Sequence, residues 1–341
     1  MRYRQLGDSG LTVSVVGLGC TNFGRRVDLA GTRAVVDAAL DAGVTLFDTA
    51  DIYGGQGSSE RLLGEVLEGR RDGIVLATKF GADMASAAEP GWVARGSRRY
   101  IRTAVEASLR RLRTDHIDLY QLHEPDPRTP IEETLSALDD LVHAGKVRYV
   151  GSSNLAAWQI ADADWTARAG GITRFVSAQN EYSLLQRGVE AELVPACERF
   201  GIGLLPYFPL SAGLLTGKYS RGRAPVGRLA ELRYRPLLTD AALDRVEKLR
   251  AYAEERGRTL LDVAIGGLAA QPAVTSVISG ATRPEQVLAN VAAGEWEPTA
   301  ADLEALDAIV PSSRGPSLLL ADPSSTSPSA DRPPRQLDRG T

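Results

Sequence analysis

Cysteine is scarce in this 341-residue chain: Cys20 and Cys197 stand far apart. Two such residues without metal-ligand spacing make neither a disulfide framework nor a zinc site, so a reducing, cytoplasmic setting is expected. No run of about 18 apolar residues appears, and the opening Met1-Arg-Tyr-Arg-Gln carries no long apolar segment, so neither a membrane span nor a secretory leader is expected. Charge of one sign is missing too. With a formal net charge of −4 and both signs interspersed, the chain lacks the basic stripe that nucleic acid requires. Lysine is the scarcest of the common charged residues, at Lys79, Lys146, Lys218 and Lys248 only. A lysine can lose its proton when desolvated and an arginine effectively cannot, which makes each lysine worth locating against possible chemistry.

What is present is ordinary for a globular protein: 43% hydrophobic and 24% charged residues. That composition at this length builds a core without covalent staples. The length allows two average domains but also one α/β barrel, and the pattern decides between them. Short apolar runs at Val13–Leu18, Thr45–Asp48, Ile74–Thr78, Ile117–Leu122, Val147–Gly151, Phe175–Ala178, Gly203–Tyr207 and Val274–Ile278 read as strands. Segments of helical period lie between them, near 30–42, 59–68, 98–112, 131–144, 156–169, 188–200, 259–270 and 284–293. Several end at a glycine suited to a helix C-terminus: Gly43, Gly69, Gly145 and Gly201.

Eight such units predict a (β/α)₈ barrel rather than an open, doubly wound sheet, because the third glycine of a dinucleotide fingerprint is missing after the first strand. Tyr3–Leu6 and Leu11–Val13 around Gly7 and Gly10 predict a hairpin placed before the barrel, able to cap its base. Insertions at 81–97 and 208–240 interrupt the repeat, and further helices are expected near 241–256 and 300–309. The barrel is expected to span residues 1–311, followed by a Ser/Pro-rich tail, 312–341, with little to bury.

A barrel places its chemistry at the C-terminal ends of its strands. There the sequence puts Asp48, then Tyr53 in the following loop, then Lys79 and His123 on the next two strands. Each alone has a structural explanation: a helix cap, loop packing, a solvated cation, a core histidine. Together they are a coherent set for hydride addition to a carbonyl, which generates an alkoxide that needs a proton and charge stabilisation. Tyr53 can supply the proton, and an adjacent ammonium is expected to lower its pKa. Lys79 is that candidate ammonium, Asp48 would hold it, and His123 would orient the carbonyl.

Gly43-Val-Thr-Leu-Phe-Asp-Thr-Ala-Asp-Ile-Tyr53, Ala77-Thr-Lys79-Phe and Asp118-Leu-Tyr-Gln-Leu-His123 resemble motifs of the aldo-keto reductase family, in its bacterial, NADPH-dependent form. The resemblance runs from about Arg2 to Val310. It implies the barrel fold, a catalytic tetrad of Asp48, Tyr53, Lys79 and His123, a small-molecule carbonyl substrate, and NADPH/NADP+ as cofactor. It implies further that Ser153, Asn154 and Gln179 hold the nicotinamide carboxamide, and that Tyr207 stacks on its ring. By the same resemblance Phe208, Pro209, Leu210, Ser211 and Gly213 belong to the pyrophosphate stretch, with Lys218 and Arg228 near phosphates.

The adenosine end falls to Gly280, Thr282, Arg283, Gln286 and Asn290, beside a helix N-terminus that favours phosphate. A cation beside the ribose favours the 2′-phosphate, so Arg283 and Lys218 point to NADPH. The chain departs from the family in having Ser279 where a proline is common, and the glycine pair Gly266-Gly267 in a helix that usually carries tryptophan.

Three competing readings remain open. The same residues could oxidise a sugar hydroxyl. The family includes channel-associated members that bind the nucleotide and turn over poorly, although no channel-docking segment is recognisable here. Lys79 could instead form a Schiff base, which its acidic and phenolic neighbours oppose. Cys20 reads as packing, Trp92 as a substrate wall, and Trp158, Trp165 and Trp296 as packing or surface residues. No metal site is expected, the oligomeric state is open, and specificity is assigned to residues 22–28, 81–97 and 208–240.

Overall fold

The computed structural model describes residues 1–82, 94–219, 221 and 227–312. Trp92, most of the first insertion, part of the second, and residues 313–341 therefore lie outside the described residues.

The chain begins with an antiparallel pair, β1 (Tyr3–Gln5) and β2 (Thr12–Ser14). Each strand is one residue off its expected bounds. The turn between them relies on Gly7, whose φ is +56°, and a Cβ there would meet the Gly201 carbonyl at 2.4 Å. Leu6 and Val13 are fully buried and pack with Leu46, Val75, Ala77, Leu119, Leu205 and Ile278, so the hairpin plugs one end of the barrel.

The eight parallel strands are β3 (Val16–Gly19), β4 (Leu46–Asp48), β5 (Val75–Phe80), β6 (Ile117–Leu122), β7 (Val147–Ser153), β8 (Phe175–Gln179), β9 (Gly203–Leu204) and β10 (Val277–Gly280). They pair in chain order, with β10 against β3. The remaining gap closes through Leu204 N–H to Ala273 O (2.7 Å), Thr275 N–H to Leu204 O (2.9 Å) and Ile278 N–H to Pro206 O (2.9 Å). The sheet is thus the expected (β/α)₈ barrel.

Around it lie α1 (Leu29–Asp41), α2 (Ser58–Val66), α3 (Arg98–Leu112), α4 (Ile131–His143), α5 (Ala157–Gly170), α6 (Leu193–Phe200), α7 (Asp240–Glu255), α8 (Leu260–Ala269), α9 (Pro284–Gly294) and α10 (Ala300–Ile309). The four expected C-terminal glycines all have positive φ, between 66° and 78°. Side-chain caps fix several starts: Asp28 accepts from Gly31 N–H, Ser97 from Tyr100 N–H and Thr259 from Asp262 N–H.

Several boundaries differ from expectation, and three of the differences have a local cause. Strand β9 stops at Leu204, because Pro206 has no N–H to give and Tyr207 N–H turns to Asn180 O (3.0 Å). Strand β10 begins at Val277, the backbone at 273–275 being engaged with Leu204. Helix α6 starts at Leu193, after a separate 3₁₀ turn at Gly188–Glu190. Pro195 cannot donate the bond that an earlier start would need.

Strand parity organises the interior. Leu46, Val75, Ala77 and Leu119 face the plugged end, whereas their neighbours Phe47, Leu76 and Tyr120 join the outer core under the helices. A period of two then carries Asp48, Lys79, Gln121 and His123 inward at the opposite end. A second core of Leu215, Val246, Leu249, Val263, Trp296 and Leu306 ties the 208–240 insertion to α7, α8 and α10. Gly266 serves that core: a Cβ there would meet Trp296 O at 2.8 Å. The glycine pair thus admits close packing against the stretch after α9, not against the sheet.

Candidate active site

The four residues expected to form a tetrad do converge. Lys79 is fully buried, and its Nζ donates to Asp48 Oδ2 (2.7 Å), the Thr49 carbonyl (3.0 Å) and Tyr53 Oη (3.3 Å). An ammonium has three hydrogens, and all three are engaged. Burial alone would depress the Lys79 pKa, but Asp48 and Tyr53 outweigh it and hold the value above the usual lysine range. Such a lysine stays charged, which opposes the Schiff-base reading.

The Tyr53 pKa runs against expectation. Burial pushes the phenol up, and Asp48 adds to this; Lys79 pulls it down without reversing the sign. The ammonium therefore limits a rise instead of producing a fall, and Tyr53 keeps its proton. His123 stands edge-on to Tyr53, with ring centroids 5.8 Å apart at 83°. Burial and then Lys79 hold His123 down to about 3, so its imidazole is neutral, and its Nδ1 is buried with no hydrogen-bond partner among the described residues.

Sequence reading missed Gln121. Its Nε2 donates to Asp48 Oδ1 (3.3 Å), beside the stronger bond from Gln179 Nε2 (2.8 Å). Its inward parity two residues before His123 was the available signal. Cys20 is buried and its thiol is pushed well up by burial, as packing requires.

From the tetrad a polar chain runs across β7 and β8. Ser153 Oγ donates to Gln179 O (2.9 Å), Asn154 Nδ2 donates to His123 O (3.0 Å) and Ser153 Oγ (3.1 Å), and Tyr207 Oη donates to Asn154 Oδ1 (2.8 Å). Asn154 adopts φ +60° to make these contacts. Beyond Tyr207 the backbone is strained: Phe208, Ser211 and Ala212 have φ of 58°, 45° and 55°, with Gly213 at 99°. Runs of this kind turn backbone N–H groups toward anions and cluster at functional sites. Pro209 and Leu210 lie within it, and Ser211 Oγ bonds Ser183 Oγ (2.8 Å).

Cations gather on this side. Lys218 is depressed by burial and then by Arg228, Arg26 and Arg283. Arg228 donates to Asn22 Oδ1 (3.1 Å) and lies over the Phe208 ring (5.3 Å). Asn22, absent from the expected set, ties this group to β10 through Nδ2 and Ala281 O (3.2 Å). Gly280 is exposed, the Thr282 N–H and hydroxyl meet Gln286 Oε1 (2.8 and 3.1 Å), and Asn290 is buried on α9. The Arg283 side chain is 70% exposed, and among the described residues its ion pair is with Glu285 at 3.7 Å. A cavity of about 550 Å³ near Leu122, Pro125, Leu155 and Trp158 contains none of these residues.

The sequence profile of the Aldo/keto reductase family matches residues 15–311. The chain belongs to that family. It is 38% identical over 302 residues to an uncharacterised oxidoreductase of Bacillus subtilis, with 86% of this chain and 91% of the relative covered. The L-glyceraldehyde 3-phosphate reductase of Escherichia coli is 36% identical over 307 residues (86% and 87%). A probable voltage-gated potassium channel subunit beta of rice, Oryza sativa, is 36% identical over 303 residues (86% and 91%).

Aldo/keto reductases are oxidoreductases that use NAD(P)H. The donor set here fits such a nucleotide: amides and hydroxyls beside the tetrad, a left-handed backbone run, then converging cations. No helix among the described residues is long and apolar enough to cross a membrane.

Proposed function

We propose that this aldo/keto reductase reduces aldehyde and ketone carbonyls, sugar-like ones included, to alcohols with NADPH. The observation that carries this reading is the Lys79 ammonium, held by Asp48 and the Thr49 carbonyl and directed at Tyr53 Oη. A buried phenol that keeps its proton is a donor in waiting. As charge develops on the substrate oxygen, the proton leaves Tyr53, and Lys79 stabilises the phenolate left behind. His123, neutral and edge-on to Tyr53, offers a ring N–H to the same oxygen without competing as an acid. Asp48 keeps Lys79 charged, and Gln121 and Gln179 satisfy its second oxygen.

The nicotinamide, when bound, supplies the hydride. Ser153, Asn154 and Gln179 would hold its carboxamide, Tyr207 its ring, and Phe208, Pro209, Leu210, Ser211 and Gly213 the pyrophosphate. Lys218 and Arg228 would lie near the phosphates, and Gly280, Thr282, Arg283, Gln286 and Asn290 would take the adenosine end. The cations around Lys218 favour NADPH, since a 2′-phosphate answers like-charge crowding that a bare ribose does not. Oxidation of a sugar hydroxyl by NADP+ uses the same groups in reverse.

The rice relative supports a second reading, a nucleotide-binding regulatory subunit with weak turnover. A screen of NADPH oxidation across aromatic aldehydes, dicarbonyls, keto sugars and triose phosphates separates the two. Turnover of at least one class supports the reductase; tight NADPH binding with no turnover on any of them favours the regulatory reading.

A further inference from the structure

Behind the tetrad lies a buried cluster that the proposed reaction does not use. Glu60 on α2 is fully buried, and both its oxygens are taken: Thr78 Oγ1 donates to one (2.6 Å) and Arg111 Nε on α3 to the other (2.5 Å). Asp51 is 2% exposed, and its Oδ1 has no hydrogen-bond partner among the described residues. Around it stand Glu60, Arg111, Lys79 on β5 and the Tyr120 phenol on β6, with Tyr100 of α3 beyond that phenol. Tyr120 Oη is likewise buried and unpartnered.

We propose that Asp51 is a positioning residue: as a neutral acid it holds the loop between Asp48 and Tyr53 in register, and its ionisation releases that loop. Charge in the cluster is unbalanced. Two buried carboxyls face one guanidinium, and that guanidinium is already hydrogen-bonded to Glu60. Burial and the Glu60 carboxylate oppose a charge on Asp51, and the fields of Arg111 and Lys79 and the Ile52 N–H favour one without outweighing them. Like charges sharing a dry site cannot both ionise cheaply. The proton therefore resides on Asp51, held up to about 7 by burial and Glu60.

The place of Asp51 in the chain couples its charge to the tetrad. Its N–H donates to Lys79 O (3.2 Å), the preceding Thr49 O accepts from Lys79 Nζ (3.0 Å), and Tyr53 N–H closes on Ala50 O (3.1 Å). A shift at Asp51 moves both the lysine's acceptor and the phenol's anchor. A buried, unpaired carboxylate beside Glu60 is the force that would produce it.

The kinetic part of this proposal rests on the reductase reading; the rest does not. With Asp51 neutral as the competent form, the single-turnover rate of carbonyl reduction should fall about tenfold from pH 6 to pH 8. Asp51→Asn, the uncharged isostere, should match the wild-type rate at pH 6 within about twofold and stay level to pH 8. Its melting temperature should gain on the wild type as pH rises, because a raised acid pKa removes stability between the ordinary value and the folded one. Identical pH profiles for rate in both proteins would overturn the positioning role.

Carboxyl ¹³C resonances of the full-length wild type, assigned through the backbone, decide the protonation claim even where the variant fails to fold or no substrate turns over. An Asp51 signal titrating near pH 7 supports it. One titrating below pH 5 overturns it.

Discussion

The two sides of the barrel mouth are built differently. On the floor, β4, β5 and β6 present Asp48, Lys79 and His123 from regular strand ends, and Lys79 has every hydrogen engaged. On the rim beside β9 and β10, a two-residue strand gives way to left-handed backbone at Phe208, Ser211 and Ala212. Cations there, Arg283 among them, crowd Lys218, and Arg283 is largely exposed beside Glu285. The floor is thus preorganised by protein–protein hydrogen bonds in a dry setting, where the proposed proton transfer would occur. Rim cations sit closer to solvent, Arg26 pairing with Glu231 and Arg283 with Glu285, and an anionic ligand there would relieve the crowding of Lys218.

The contrast is broken most severely at Lys79. Lys79→Met leaves the Asp48 carboxylate buried without its cation, and should cost about 3–5 kcal/mol of stability and roughly 10²–10⁴-fold in turnover. Denaturant unfolding and single-turnover kinetics check both figures. Acid provides a second test of the floor. His123 is held down to about 3 in the fold, so the unfolded chain takes up a proton below about 6.5 that the fold refuses. Stability from the neutral imidazole is whole above that pH and declines as pH falls toward 3. His123→Gln should flatten this acid slope in melting curves.

Rim substitutions should do less. Arg283→Ala should weaken NADPH by about tenfold, roughly 1.4 kcal/mol, while leaving NADH nearly unchanged; equal losses for the two nucleotides would count against a phosphate role. Smallest of all, Glu231→Ala removes an acid paired with Arg25, Arg26 and Arg233 at the surface. Exposed pairs of this kind contribute about 0–1 kcal/mol, and the melting temperature should move accordingly little.

The same contrast explains what could be read from the sequence. The position of Asp48, Lys79 and His123 at the ends of successive strands, with Tyr53 in the loop between, placed the floor residues together, and strand parity adds that a period of two leaves a side chain only two faces. Gln121 obeyed that rule and was overlooked, being an amide with no obvious chemistry. The Tyr53 pKa was misjudged since burial depends on the whole fold, whereas the neighbouring ammonium was visible from spacing alone. Asp51 was passed over for the same reason: its Glu60 and Arg111 neighbours come from α2 and α3.

On the rim, β9 and β10 were each placed with the wrong bounds, Pro206 and the cross-barrel bonds of Leu204 being tertiary in effect. Asn22 entered that group through Arg228, 206 positions away, a contact no local pattern encodes.

Tyr53→Phe tests the central claim most directly, because it deletes the proposed proton donor and almost no packing area. Single-turnover reduction of a carbonyl by enzyme preloaded with NADPH should fall by roughly 10²-fold or more, with NADPH affinity, read by fluorescence titration, within about twofold of wild type. A variant that turns over at the wild-type rate would contradict the assignment of Tyr53 as the proton donor.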